Sequence, residues 1–329
     1  MLQVLKPGKL RPRLIVVVRV NTQCALACRY CAYSRELPRL DRCIENETLR
    51  PLGESLQEHI LACNQEVMVC WLGGEPFQWR SWREQTERMV HGYGVPVGIT
   101  TNGLALGNPR VRRRALELFR EITVSIDGLS SFHNEVRKFP GLYQRLHAIV
   151  RQLLEERQGM FPRLRVNCVL TRNNVEDFGV FCRAMDEVGF EELTFNALGG
   201  NDRPDYFRDN RLLPEHIHRL ETLLPGIRAE CSGMVVRGSA GYLRRLLATS
   251  QGEIIPVQNC DPGERFLFID EFGRLGPCNF VVSRLGVQVE DWAGLGISAW
   301  RHQLRVALDK CQPDSCRDCH ATHVFEKFC

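Results

Sequence analysis

The stretch LIVVVRVNTQCALACRYC, residues 14–31, joins an apolar β-branched run to three cysteines. Leu14-Ile15-Val16-Val17-Val18-Arg19-Val20 has the composition of a buried strand. Cys24, Cys28 and Cys31 follow its carboxyl end on what reads as a loop. In α/β folds ligands collect at the carboxyl ends of strands, where loops vary over a rigid sheet. Three thiolates on one loop suit three irons of an iron–sulfur cluster, and on a four-iron cluster they leave one iron open. A zinc site or three packed thiols are the alternatives. A structural zinc takes four ligands, however, and no fourth Cys or His stands nearby before Cys43.

Further along, strand-like runs at 66–72, 95–100, 121–126, 164–170 and 192–196 alternate with helical periodicity at about 45–63, 81–92, 110–120, 141–157 and 175–188. The alternation predicts a parallel α/β architecture, either a barrel or an open doubly wound sheet. The next three strands end in Gly73-Gly74-Glu75-Pro76, Thr100-Thr101-Asn102-Gly103 and Ser125-Ile126-Asp127-Gly128. Four polar or glycine-rich strand ends in succession point to one shared site. After Gly200 the pattern changes to a loop, helices near 213–224 and 239–250, a hairpin turning at Glu271-Phe272-Gly273, and a helix near 298–310 before a cysteine-rich tail.

The chain of 329 residues is 44% hydrophobic and 25% charged, with a net charge of +4. That balance does not argue for a nucleic-acid partner. No apolar run is long enough to span a membrane, and the N-terminus lacks a secretory pattern, so a cytoplasmic location is expected. Fifteen cysteines are many for such a chain. Without secretion they read as reduced thiols, and where clustered as metal or cluster ligands.

Cys24-Ala-Leu-Ala-Cys28-Arg-Tyr30-Cys31 resembles the cysteine signature of the radical S-adenosylmethionine (SAM) superfamily, and Gly73-Gly74-Glu75-Pro76 resembles its GGEP motif. Thr101-Asn102-Gly103, Ser125-Ile126-Asp127-Gly128 and His133-Asn134-x2-Arg137 are similar to later motifs of its peptide- and natural-product-modifying branch. The resemblance covers about residues 14–200 and implies a partial (βα)6 barrel. It implies that Cys24, Cys28 and Cys31 hold a 4Fe-4S cluster whose open iron chelates SAM, with Tyr30 near the adenine. Gly73, Gly74 and Glu75, followed by Pro76, would receive the SAM amino group. Ser125 and Asp127 would bond the ribose hydroxyls, and Arg137 would pair with the SAM carboxylate. Asn102 reads either as a cofactor contact or as a turn residue before Gly103.

Cys260-x12-Gly273-x4-Cys278 is similar to the opening of the SPASM and twitch extensions, which carry auxiliary 4Fe-4S clusters. Cys316, Cys319 and Cys329 fall on further places of that pattern, but Phe325 stands where another cysteine is expected. The resemblance therefore implies one auxiliary cluster on Cys260, Cys278, Cys316 and Cys319, with Cys329 or Cys311 as alternates; a zinc ribbon is the competing reading. Cys43, Cys63, Cys70, Cys168, Cys182 and Cys231 read as small buried apolar residues. Among these, Cys168 and Cys231 are candidate hydrogen-atom donors to a substrate radical.

The domain expectation is a lead-in at 1–13, a radical SAM core at 14–200, a helical linker at 201–255 and an auxiliary-cluster region at 256–329. Implied cofactors are SAM, its 4Fe-4S cluster and the auxiliary cluster, with a flavodoxin- or ferredoxin-like protein as reductant. Substrate contacts are expected from Asn167, Asn196 and the loop 198–203. Three functions compete: a maturase of a ribosomal peptide, an oxidase or epimerase of a small natural product such as an aminosugar or cyclitol, and a non-catalytic iron–sulfur or zinc scaffold. The 13 residues before the first strand leave no room for a peptide-recognition domain, so any such element is expected to be a separate protein.

Overall fold

The β-branched runs fold into β1 (Leu14–Asn21), β2 (Val67–Gly73), β3 (Val97–Thr101), β4 (Glu121–Ser125), β5 (Arg163–Leu170) and β6 (Glu192–Ala197). Four more strands follow: β7 (Val235–Val236), β8 (Phe266–Ile269), β9 (Arg274–Gly276) and β10 (Val287–Gln288). The computed structural model describes residues 13–310 apart from 39, 158, 200–202, 254, 256–259 and 261, together with residue 316.

All ten strands share one sheet in the order β10-β9-β8-β1-β2-β3-β4-β5-β6-β7. From β8 to β7 every neighbouring pair is parallel. Among the described residues the two edge strands do not pair, so the sheet is open rather than a closed barrel. The parallel crossovers are helical, as right-handed β-α-β connections require. They are α1 (Leu49–Cys63), α2 (Trp82–Glu87), α3 (Pro109–Leu118), α4 (Ser130–Val136) with α5 (Leu142–Glu156), and α6 (Phe178–Val188). The helix α3 shows why the chain turns where it does. Asn108 accepts the N–H of Arg110 at 2.9 Å and Pro109 fills the first helical position.

Alternation along the strands sorts residues onto two faces. Leu14, Val16, Val18, Val69 and Trp71 join the large core between sheet and helices. Ile15, Val17, Met68 and Cys70 point the other way, into an inner cluster with Phe266 and Phe268 of β8 and Val281 and Val282. At the amino ends of the strands the interior is closed by charge. Arg165, 3% exposed, lies between Glu121 at 3.2 Å and Glu192. The open chemistry is left to the carboxyl ends.

Beyond β6 come α7 (Pro204–Asn210), α8 (Pro214–Glu230), α9 (Ala240–Ser250), α10 (Val282–Leu285) and α11 (Gly296–Lys310). The stretch expected as a helical linker is built into the core: α8 packs on α6 and α9, and β7 extends the sheet beside β6. The expected hairpin is β8–β9, with Gly273 at φ +77 in the left-handed region that a Cβ disfavours. It is no appendage either, since β8 runs parallel to β1 with Ile15 opposite Phe266 and Val18 opposite Ile269.

Candidate cofactor and substrate site

Cys24, Cys28 and Cys31 lie on the loop that leaves β1. The backbone N–H of Leu26 points at Cys24 Sγ (3.5 Å) and that of Tyr33 at Cys31 Sγ (3.2 Å), while Asn102 Nδ2 approaches Cys24 Sγ at 3.9 Å. Such donors stabilise thiolate sulfur and tune a cluster's potential. Burial pushes the Cys28 thiol up to about 12 and raises Cys24 as well, while Arg137 acts against the shift at Cys28. A strong local positive charge, such as bound iron, would offset this desolvation and favour the thiolates. Among the described residues no group of three His, Cys, Asp or Glu side chains converges on one metal ion. A cluster asks for no such convergence, because each thiolate ligates its own iron.

The loop after β2 packs directly on the start of the cysteine loop. Gly74 N–H donates to Asn21 O at 2.9 Å, Glu75 N–H to Gln23 O at 2.6 Å, and Asn21 Nδ2 to Glu75 O at 2.9 Å. A Cβ on Gly74 would sit 2.1 Å from Gln23 O, and one on Gly73 2.4 Å from Asn21 Oδ1. The two glycines are therefore required by the approach of protein backbone. The Glu75 carboxylate, expected on the SAM amino group, is only 3% exposed and is used within the protein. It accepts the Thr101 hydroxyl at 2.7 Å, the Asn102 N–H at 2.8 Å and the Phe77 N–H at 3.2 Å. Pro76 begins the short turn that follows. Asn102 Oδ1 caps the turn by accepting Leu104 N–H at 3.0 Å, in line with its reading as a turn residue, and its Nδ2 approaches Cys24 Sγ at 3.9 Å.

At the end of β4 the expectations divide. Ser125 is half-buried on the inner face. Asp127 turns inward, 1% exposed. Its Oδ2 accepts Arg137 Nε at 2.8 Å and the Tyr30 hydroxyl at 2.8 Å, its Oδ1 accepts Val169 N–H at 3.0 Å, and Arg137 Nη2 donates to Tyr30 Oη at 2.9 Å. This is a correction to the ribose assignment, since a carboxylate so enclosed has little left to offer a ligand. Tyr30 and Arg137 do come together beside the cysteine loop. His133, wholly buried, accepts Asp127 N–H on Nδ1 at 3.1 Å, and burial lowers its pKa to about 3.

Further round the inner face, Asn167 Oδ1 accepts Thr194 Oγ1 and Asn196 Nδ2, both at 3.0 Å. Both predicted asparagines are half-buried there, with Thr100 of β3 also on this face. Sequence reasoning missed Arg19. It bonds Glu271 at 2.9 Å and lies over the rings of Tyr33 (5.3 Å) and Phe268 (5.0 Å), joining cysteine loop, β1 and hairpin. A lone charge in an apolar strand was the signal. The two proposed hydrogen donors are also corrected. Cys168 belongs to the helix-side core, its Sγ donating to Asp127 O at 3.4 Å, and Cys231 lies in the same core at the end of α8. Neither reaches the inner face. Cys70 does, with Cys278 and Cys316 in the same inner cluster. Cys260 is half-buried, while Cys311, Cys319 and Cys329 lie outside the described residues.

Residues 18–178 match the family model of the Radical SAM superfamily. The chain carries a radical SAM domain. A radical SAM domain takes SAM and a 4Fe-4S cluster, and three thiols on one loop with N–H donors on the sulfurs of Cys24 and Cys31 suit the cluster. The serine-type anaerobic sulfatase-maturating enzyme of Bacteroides thetaiotaomicron is 30% identical over 142 residues, 39% of this chain. The match spans only 32% of that relative's length. Streptococcus suis SuiB bound to S-adenosylmethionine superposes with a TM-score of 0.63 at 15% identity, over 86% of this chain and 66% of that one. The native anSMEcpe structure with bound AdoMet gives 0.62 at 15% identity, over 93% and 89%. At such identities the likeness is one of fold: this radical SAM domain and its C-terminal strands share the partial barrel of those enzymes.

Proposed function

We propose that the chain is a radical SAM enzyme that modifies a peptide, with Cys24, Cys28 and Cys31 holding the SAM cluster. The observation that carries this reading is the segment Asn21 to Gln23, which leads into the cysteine loop and is locked onto Gly74 and Glu75 by backbone bonds, with the Tyr30–Arg137 pair nearby. When bound, SAM and its cluster would supply, on one-electron reduction, the radical chemistry that removes a hydrogen atom from an unactivated carbon. The protein's part is orientation. Arg137 presents a guanidinium edge for the SAM carboxylate, Ser125 offers a hydroxyl to the ribose, and Asn102 holds an amide at Cys24. Arg19, Thr100, Asn167 and Asn196 line the inner face on which a peptide would lie, their amides and hydroxyls matching its backbone groups.

Peptide chemistry is favoured over a small natural product because the sulfatase-maturating relative and SuiB, solved bound to its precursor peptide SuiA, act on or bind polypeptide. Cys260, Cys278, Cys316 and Cys319, with Cys329 or Cys311 as alternates, are proposed to hold an auxiliary 4Fe-4S cluster. Four thiolates leave no open iron, so its role is electron transfer and the net reaction an oxidation or cross-link. A flavodoxin- or ferredoxin-like reductant and a separate peptide-recognition protein complete the proposal. No helix among the described residues is long and apolar enough to cross a membrane.

The test is iron and acid-labile sulfide per chain after anaerobic reconstitution, in wild type and in a Cys24/Cys28/Cys31→Ala variant. About eight irons falling to about four is the expected result. About four falling to none, with zinc present, would remove the auxiliary cluster. Stimulation of 5′-deoxyadenosine formation by aminosugars or cyclitols but not by peptides would overturn the substrate class.

A further inference from the structure

The Asp127 carboxylate lies at the junction of four segments. It accepts from Arg137 beyond α4, from Tyr30 in the cysteine loop and from Val169 of β5, while its own N–H donates to His133 of α4. The remaining joint is backbone: Arg29 N–H donates to Val136 O at 2.9 Å, tying the cysteine loop to the end of α4. Asp127, Arg137 and the Tyr30 hydroxyl form a closed triangle of 2.8, 2.8 and 2.9 Å.

The triangle uses only one side of the guanidinium. Nε and one Nη2 hydrogen are spent on Asp127 and Tyr30. The other side, formed by Nη1 and the second Nη2 hydrogen, makes no hydrogen bond among the described residues. A guanidinium offers five N–H groups in a planar fork, so fixing one edge aims the opposite edge, which is the geometry that takes a carboxylate in two bonds. Arg137 itself is 6% exposed, and an unpaired cation at that depth would be strongly disfavoured; the buried carboxylate makes its placement possible.

We propose that Asp127 is a positioning residue. It touches no ligand, and it aims Arg137 at the carboxylate of the bound amino acid moiety while holding Tyr30 beside it. This rests on the SAM-binding reading above. It makes a separate demand, because SAM consists of a methionine part that carries the carboxylate and an adenosyl part that carries the ribose. Were Asp127 a ribose ligand, its loss would be felt on the adenosyl part. Acting through Arg137, its loss is felt on the methionine part.

The experiment measures binding of methionine and of 5′-deoxyadenosine, each alone, to anaerobically reconstituted wild type, Asp127→Asn, Arg137→Gln and the double variant, by equilibrium dialysis. Asparagine keeps the shape of the side chain but cannot accept from both Val169 and Arg137. Asp127→Asn is expected to weaken methionine about tenfold and leave 5′-deoxyadenosine within about twofold. Arg137→Gln should give a similar loss, and the double variant no further loss, because the two act as one unit. If Asp127→Asn does not fold, Tyr30→Phe decides, since removing that hydroxyl frees one corner of the triangle and is expected to weaken methionine selectively. Selective loss of 5′-deoxyadenosine overturns the proposal, as do equal losses of both ligands, multiplying losses in the double variant, or no loss at all. Wild type that carries its cluster iron yet binds neither ligand overturns the SAM-binding reading itself, a result distinct from a failure of Asp127 alone.

Discussion

Glu75 Oε2 accepts the backbone N–H of Asn102 at 2.8 Å, tying the loop after β2 to the loop after β3. Burial raises the pKa of Glu75, and the N–H groups of Asn102 and Phe77 and the Thr101 hydroxyl work against that rise. Glu75→Gln puts an amide N–H where one of these donors needs an acceptor. An expected loss of about 1–3 kcal/mol follows from leaving a buried donor unsatisfied, read as a lower urea midpoint at unchanged slope. Unaltered stability would show that these bonds do not hold the loops.

Gly74→Ala tests whether the second loop shapes the first. The added methyl would lie 2.1 Å from Gln23 O, on backbone that cannot swing aside. Overpacking of this kind costs about 1–3 kcal/mol, and here the displaced backbone leads directly to Cys24. Iron bound after reconstitution should fall although no cysteine has changed. Full iron loading in the alanine variant would uncouple the two loops.

His133 makes stability depend on pH. Its pKa in the folded state is lowered to about 3 by burial, against an ordinary value of 6.5. Between these values the unfolded chain binds the extra proton, so stability rises with pH up to about 6.5 and the contribution is flat above it. His133→Asn retains an acceptor for Asp127 N–H and removes the titration. Urea unfolding between pH 4 and 6.5 should then show a shallower slope, by up to about 1.4 kcal/mol per pH unit. Parallel curves for wild type and variant would exclude His133 as the source.

Cluster insertion should release protons. In the metal-free chain burial holds Cys28, at about 12, and Cys24 in their thiol forms at neutral pH. Ligation requires thiolates, so the three ligands should deliver about three protons per cluster to a weakly buffered solution, and loading should speed up as pH rises. A loading rate independent of pH between 6.5 and 8.5 would contradict the burial argument.

What the sequence made legible was local. The run from Leu14 to Val20 and the cysteines after it lie within one short segment, and the strand–helix alternation that follows predicts the parallel sheet. The inward turn of Asp127 was not legible, because its partner Tyr30 lies 97 residues away and only packing brings them together. Cys168 illustrates a different limit. Alternation along β5 is visible in the sequence, but which face is inner depends on the neighbouring strands and the helices over them. The strand Val235–Val236 is too short to leave any periodicity. Arg19 stood in plain view, yet its partner Glu271 comes from a hairpin 252 residues later.

The pairing of β8 with β1 bears on attempts to prepare a minimal catalytic core. Truncation ahead of Phe266 would leave the segment of β1 from Ile15 to Val18 with a bare row of backbone donors and acceptors, on the strand that launches the cysteine loop. Phe266 and Phe268, removed with it, are the apolar cover over Ile15 and Val17. Such a shortened chain presents a sticky sheet edge, and its failure would be precipitation by edge-to-edge stacking rather than a loss of electron transfer.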